Sequence, residues 1–294
     1  MIFFLLACIF SYNISRYDPY IRSDYKNVSG YLKSHSMTVD VKSQGDFGII
    51  TYNMEKRDSL SSDDQINEVI RLIDNTHVPI MVLQEVSRQQ LNQLENRILP
   101  HYGIAEGLES LIIDPTNGSE TFNPIIYDTE ELNFEKSGVF KTNDFIVKNV
   151  YASWALFTHK TKNFRLTMIN MNLYSTKSLV DSLELASILY DIEATPEIKE
   201  NIVFLAGTIN GVSSKNSILM KKKMTKLSDY GNEGSEQKNT LNTYLDVLTN
   251  TERDFIFCIN TVNVKAQPVY SSVLRLFRHG ARFPVHSIVN LSIN

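Results

Sequence analysis

Apolar residues recur along this chain with two periods, and the periods mark out its elements. "FGIITYN", starting at Phe47, alternates as a strand. "DDQINEVIRLIDN" places Ile66, Val69, Ile70 and Ile73 at helical spacing, with Ser61 or Ser62 as the cap. "VPIMVLQEV" is a strand ending in polar residues, and "SRQQLNQLENRIL" is a second helix opened by Ser87. "NPIIYDTEELNFEKSGVF" predicts a strand pair turning at Asp128 to Glu131. "SWALFTHKTKNFRLTMINMNLYS" predicts a hairpin whose turn is Lys160 to Asn163, each arm alternating. "SLVDSLELASILYDIEA" is an amphipathic helix, "NIVFLAGTIN" a buried strand, and "RDFIFCINTVNV" and "FPVHSIVNLSI" are late strands.

Strands outnumber helices, and helices fall between only some of the strands. This order predicts an α/β (α+β) chain with two mixed β-sheets packed face to face and helices outside, in one domain over residues 46–294. Residues 12–45 are polar, rich in Tyr, Ser and Asn, and form a lead-in without periodicity. The opening "MIFFLLACIF" is too short to span a membrane and has the length of a signal-peptide core, so residues 1–11 are expected to be a signal peptide. It lacks a positive leading region, which leaves a truncated or misassigned start, or an apolar tail, as the alternatives. "LLAC", ending at Cys8, resembles a lipobox, but "IF" continues the apolar run. No later run approaches membrane length. Sequons at Asn13, Asn27, Asn117 and Asn290 fit a secreted or lumenal glycoprotein.

Composition narrows the function classes. With 43% hydrophobic and 21% charged residues, the 294-residue chain has ample material for a core. A net charge of −4 gives no electrostatic footprint for nucleic acid. The run "KKKMTK" reads as a solvated helix end or loop. With Cys8 in the leader, Cys258 is the one remaining cysteine; it reads as a buried small hydrophobe, and no disulfide framework exists.

Candidate chemistry gathers at strand ends. "TYN" ends in Asn53, "LQEV" presents Glu85, "GTIN" presents Asn210 and "RDFIF" presents Asp254. In this order, with "RFPVHSIV" last, the chain from about Phe47 to its C-terminus resembles the endonuclease/exonuclease/phosphatase superfamily, with its deoxyribonuclease I-like four-layer sandwich. That resemblance implies a phosphodiester hydrolase in which a divalent ion, Mg²⁺, sits on hard oxygen ligands. It also implies a His–Asp pair against the phosphate and a second Asp with an Asn orienting water.

Position by position, the resemblance gives Asn53 the first amide and Glu85 the metal carboxylate. Asn210 matches the asparagine of G-D-x-N, and Asp254 supports the alignment as an acid before the penultimate strand. Other positions depart. "MNL" stands for T-H-L, so Asn172 occupies a histidine's place; Thr208 replaces the aspartate of G-D-x-N; "GARFPV" stands for S-D-H-x-P-V, with Ala281 for the aspartate and Arg282 for the histidine. Thr208 is no general base at neutral pH, Asn172 exchanges no proton, and Arg282 stays cationic. Such members act as a unit, and loss of one costs powers of ten in rate. The expectation is therefore a degenerate site in a non-catalytic protein that binds a phosphate-containing ligand or a protein partner.

Two other readings stay open. An active, divergent Mg²⁺-dependent phosphodiesterase, nuclease or sphingomyelinase-like, would need a histidine such as His159, His279 or His286 near Glu85. An unrelated structural secreted α/β protein would lack the two packed sheets. Asn53 and Asn210 also suit plain turn positions, and Glu85 an exposed strand end or the cap of the following helix.

Overall fold

The computed structural model describes residues 46–54, 61–105, 112–113, 120–141, 151–162, 164–173, 178–209, 224–226, 254–259, 264–273 and 285–293. All of these fall within the unit Thr38–Asn294. The elements run β1 Phe47–Asn53, α1 Ser62–Thr76, β2 Ile80–Gln84, β3 Val86–Ser87, α2 Arg88–Arg97, β4 Tyr102–Ile104, β5 Ile112–Ile113, β6 Glu120–Phe122, β7 Ile125–Asp128 and β8 Leu132–Lys141. There follow β9 Tyr151–His159, β10 Arg165–Leu173, α3 Ser178–Ala194, α4 Pro196–Lys199, β11 Ile202–Ile209, β12 Thr225–Lys226, β13 Asp254–Ile259, β14 Val264–Val273 and β15 Val285–Ile293.

Two six-stranded sheets carry the architecture, in the orders β14-β15-β1-β2-β7-β4 and β12-β13-β11-β10-β9-β8; a small sheet, β3-β6-β5, accompanies them. Each large sheet is mixed: β1 and β2 are parallel, as are β10 and β11, while their outer neighbours run antiparallel. Alternation along the strands then builds four layers. On β1, Phe47 and Ile49 face the second sheet, where they meet Met168, Phe204, Ile256 and Cys258. Ile50 and Tyr52 face the other way, onto Ile66, Val69 and Ile73 of α1 and Leu91 and Leu94 of α2. The second sheet's outer face, with Ile169, Val203, Leu205 and Phe257, packs on Leu185, Ile188 and Ile192 of α3 and Ile198 of α4. Helix–sheet–sheet–helix is the expected sandwich, and it removes the reading without two packed sheets.

Local signals decided the helices. Ser61 caps α1 by accepting from the Asp64 N–H, and Ser87 with Gln90 forms a reciprocal capping box on α2. Cys258 is free and fully buried, and burial raises its thiol pKa. No helix among the described residues is long and apolar enough to cross a membrane.

Four differences from the sequence reading have physical causes. The segments β7 and β8 do form at the expected places, but they do not pair: β7 joins β2 and β4, while β8 joins β9 in the other sheet. Ile125 and Leu132 both bury in the space between sheets from opposite sides, so the turn at Asp128 carries the chain across layers. Period-two alternation is the same for a hairpin and for such a crossover. Second, the strand of "VPIMVLQEV" breaks at Glu85, whose φ is 57°. Third, β14 was missed because Pro268 interrupts it; a register shift between Pro268 and Tyr270 accommodates the proline on this edge strand. Finally, "KKKMTK" ends in the short edge strand β12, beside a buried Met224, rather than in a loop.

Candidate functional site

The face between the sheets changes character along its strands. On β1 the inward series is Phe47, Ile49, Thr51, Asn53; on β2 it is Ile80, Val82, Gln84; on β11 it is Ile202, Phe204, Ala206, Thr208. On β10 it runs Leu166, Met168, Asn170, Asn172, and β13 opposes β11 with Asp254 across from Thr208. Every series turns polar at one end, the carboxyl ends of the parallel pairs, where open α/β sheets form their clefts. Thr51, Asn53, Gln84, Asn170, Asn172, Thr208 and Asp254 are all buried there.

At the rim these groups bond to one another across the two sheets. Asn53 Nδ2 donates to Glu85 Oε1 and to Thr208 Oγ1, both at 3.0 Å. Asn172 Nδ2 donates to the same Glu85 Oε1 at 3.3 Å. The Thr208 hydroxyl donates to Asp254 Oδ1 at 2.6 Å. One step deeper, Gln84 Nε2 donates to Asn170 Oδ1 at 2.8 Å, and Asn170 Nδ2 donates to the Leu83 and Pro124 carbonyls. Thr51 and Gln84 complete that layer.

Glu85 stands at the break in β2, in a left-handed conformation that is uncommon for a residue with a side chain. Its N–H is taken by Asn123 Oδ1 at 3.3 Å, and the Asn123 carbonyl accepts from Ser153 of β9 at 2.9 Å. Side-chain amides thus replace the sheet ladder where the strand ends. Gly207, one residue before Thr208, has φ 138°, and a Cβ there would lie 1.8 Å from the Met171 carbonyl oxygen. The glycine of "GTIN" is the residue that lets β10 and β11 approach beside the site.

Of the residues singled out in the sequence, Asn53, Glu85, Asn172, Thr208 and Asp254 converge. Asn210, Ala281, Arg282 and His279 lie outside the described residues, as do residues 1–45 with the expected leader, and Asn117. His159 does not join the cluster. It ends β9, beside the start of β10, and Arg165 lies roughly 23 Å along β10 from Asn172 at strand rise. There its Nδ1 accepts from the Thr161 and Lys162 N–H groups, its ring packs on Phe164, and burial with the Lys162 charge lowers its pKa against the pull of Asp46. His286 aligns with Ile50 on β1; its side chain is outside the described residues. Sequence reading missed Thr51, Gln84, Asn123 and Asn170. For Thr51, Gln84 and Asn170 the usable signal was parity, since each continues an inward-facing apolar series by one step.

Comparison with known proteins follows from this geometry. No family model matches the chain. An uncharacterized protein of Encephalitozoon cuniculi is 30% identical over 269 residues, covering 90% of this chain and 84% of that protein. An endonuclease/exonuclease/phosphatase from Bacteroides vulgatus superposes with a TM-score of 0.67 at 17% identity, covering 84% of this chain and 99% of that one. A mannosyl-6-phosphatase from Bacteroides thetaiotaomicron gives 0.64 at 16%, covering 83% and 99%. Danio rerio TDP2, complexed with a single-strand DNA product, gives 0.65 at 15%, covering 84% and 98%. The chain belongs to one family with the Encephalitozoon protein and carries the endonuclease/exonuclease/phosphatase fold.

For a chain of this fold, the donor set at Glu85 tests the implied Mg²⁺. Mg²⁺ takes oxygen ligands, whereas two amide NH₂ groups point at Glu85 Oε1. The assignment at Asn53 is forced: the single Thr208 hydroxyl hydrogen goes to Asp254, so Thr208 Oγ1 accepts, and Asn53 must present its nitrogen. Among the described residues no three His, Cys, Asp or Glu side chains gather as a metal set. The residues around Glu85, as they are bonded, do not fit the ion. What the arrangement does supply is a buried polar cluster, bonded across both sheets.

Proposed function

We propose that this endonuclease/exonuclease/phosphatase-fold chain is a non-catalytic binding protein that takes a phosphate-containing ligand or a protein partner at the degenerate hydrolase site. The observation that carries it is Thr208. It stands in the place of the water-orienting acid, its hydroxyl is engaged by Asp254, and its oxygen is engaged by Asn53. Threonine takes no proton from water at neutral pH. Asn172, in the histidine's place, donates to Glu85 and exchanges no proton either. A phosphate-containing ligand is supported by two solved structures of this fold, one a phosphatase and one holding a DNA product. Secretion and glycosylation belong to the same proposal. The sequon residue Asn290 is exposed on β15, where a glycan would have room.

A panel of phosphodiesters and phosphomonoesters, assayed on the full chain across a Mg²⁺ titration, tests the reading. No turnover above background is expected. Magnesium-dependent turnover that vanishes in Glu85→Ala would sink it. That outcome would establish the second reading, an active divergent phosphodiesterase, which one observation favours: Asp254 brings a carboxylate to Thr208 within the same cluster.

A further inference from the structure

The fold implies a divalent cation beside Glu85, and the side chains there supply something else. We infer that the NH₂ groups of Asn53 and Asn172 stand where that cation would stand, so this site neutralises its carboxylate without a metal. Both amides donate to one oxygen, Glu85 Oε1, at 3.0 and 3.3 Å, and they come from opposite sheets. Two donors on a single carboxylate oxygen deliver partial positive charge to it.

The Asn53 amide is not free to turn. Thr208 gives its one hydrogen to Asp254 at 2.6 Å and accepts from Asn53 at 3.0 Å, so rotating the amide would set oxygen against oxygen at both Thr208 and Glu85. Thr208 thereby holds the amide in the orientation that aims its NH₂ at Glu85. An aspartate at 208 would also accept, but it would place a second carboxylate at the rim and favour an ion; a threonine relays a hydrogen bond from the amide to Asp254 and favours none. Asn172 adds a consequence for the ligand. Its Nδ2 is engaged by Glu85, while its Oδ1 is buried with no hydrogen-bond partner among the described residues. A buried carbonyl oxygen left in that state costs free energy until a donor meets it. A hydroxyl or an amide N–H on the ligand would satisfy it.

The inference rests on hydrogen-bond direction and not on the absence of turnover, so its failure is distinguishable from that of the proposed function. The test is Mn²⁺ binding to the full chain by electron paramagnetic resonance, comparing wild type with Glu85→Gln, with thermal midpoints in Mg²⁺ and in EDTA as a second measurement. The two proteins should bind Mn²⁺ within about threefold of one another, and wild type should melt at the same temperature in both buffers. Asn172→Asp, which replaces one NH₂ donor by a carboxylate, should gain Glu85-dependent Mn²⁺ binding of at least about tenfold. Saturable Mn²⁺ binding to wild type that Glu85→Gln removes would overturn the inference, even if nothing is hydrolysed. If Glu85→Gln fails to fold, a midpoint that Mg²⁺ raises in wild type overturns it, and an unchanged one supports it.

Discussion

The two ends of the space between the sheets are built on the same strands and differ in almost everything else. At one end Phe47, Ile49, Met168, Phe204 and Ile256 interdigitate as an apolar slab, with Phe47 stacked on Phe204 at 5.8 Å between ring centroids. At the other, four residues further along β1, β10 and β11 and at the start of β13, Asn53, Asn172, Thr208 and Asp254 bond with Glu85 across the gap. Burial is equal for most of them; chemistry is not. Apolar burial stabilises the slab by roughly 25 cal/mol per Å². A buried polar group gains little net and is expensive when unpaired. The slab therefore holds the fold, and the rim is tolerated because every strand delivers its polar residue at the same level.

The most severe way to break that comparison is at the seam between the two ends. Gly207 lies where β10 and β11 close up beside Thr208, with φ 138° and no room for a Cβ. Gly207→Ala must force the Met171 carbonyl away, and it is expected to cost more than about 4 kcal/mol, the range in which core and backbone defects unfold domains. Urea denaturation followed by circular dichroism would show it; a midpoint within error of wild type would mean that the approach is not needed.

A second probe uses the neighbour of Asn53 that faces the other way. Tyr52 donates to Glu68 Oε2 at 3.3 Å, behind the first sheet. Burial pushes the Glu68 carboxyl up to about 8, against smaller opposing pulls from Tyr52 and Arg71. Unfolded, it titrates near its ordinary 4.5. Between these values the native state holds a proton that the unfolded state has lost, so stability is full below the lower value and falls as pH rises through the upper one. The loss should be on the order of a few kcal/mol. Denaturant midpoints across that window should fall in wild type and stay flatter in Glu68→Gln. Parallel curves would show that Glu68 is ionised throughout. The difference between wild type and Glu68→Gln isolates the outer-face contribution to this pH response.

How much of this was legible beforehand follows the same division. The slab, the helices and the order of layers were written in apolar periodicity and in the caps Ser61 and Ser87, because burial and capping are local demands on residue type. Of the rim, Asn53, Glu85, Asn172, Thr208 and Asp254 were found through resemblance to a family motif. Gln84 and Asn170 were not found: parity puts each one step beyond an inward-facing apolar series, but no motif of the resemblance marks them. The crossing of β7 to β8 was illegible for a related reason: pairing partners are chosen by tertiary packing, and alternation carries no information about them.

Within the rim, the deeper amide layer separates positioning from packing. Asn170 accepts from Gln84 and donates to the carbonyls of Leu83, on the first sheet, and Pro124, just before β7. Asn170→Ala should cost about 2–3 kcal/mol by stranding those groups. Gln84→Ala on top of it should cost less than Gln84→Ala alone, because the pair shares one bond. Urea midpoints of the four-protein cycle measure this. Additive losses would mean that the two amides act separately and that the layer is not a sheet-to-sheet link.

The smallest effect is the most pointed, because its sign runs against habit. Glu85→Ala and Glu85→Gly both remove the carboxylate from Asn53 and Asn172, and they take the same acceptor from both amides. They differ in the backbone. In a strand interior glycine is the worse residue by about 0.5–1 kcal/mol. At φ 57° the order should reverse, since alanine keeps the left-handed strain and glycine relieves it. Glu85→Gly is therefore expected to be the more stable of the two by about 1 kcal/mol, read as a midpoint difference of about 2–4 °C for a chain of this size. Alanine equal to glycine would show that the break at Glu85 is unstrained. The Asn123 and Asn170 side chains would then be following the end of β2 and not holding Glu85 in place at it.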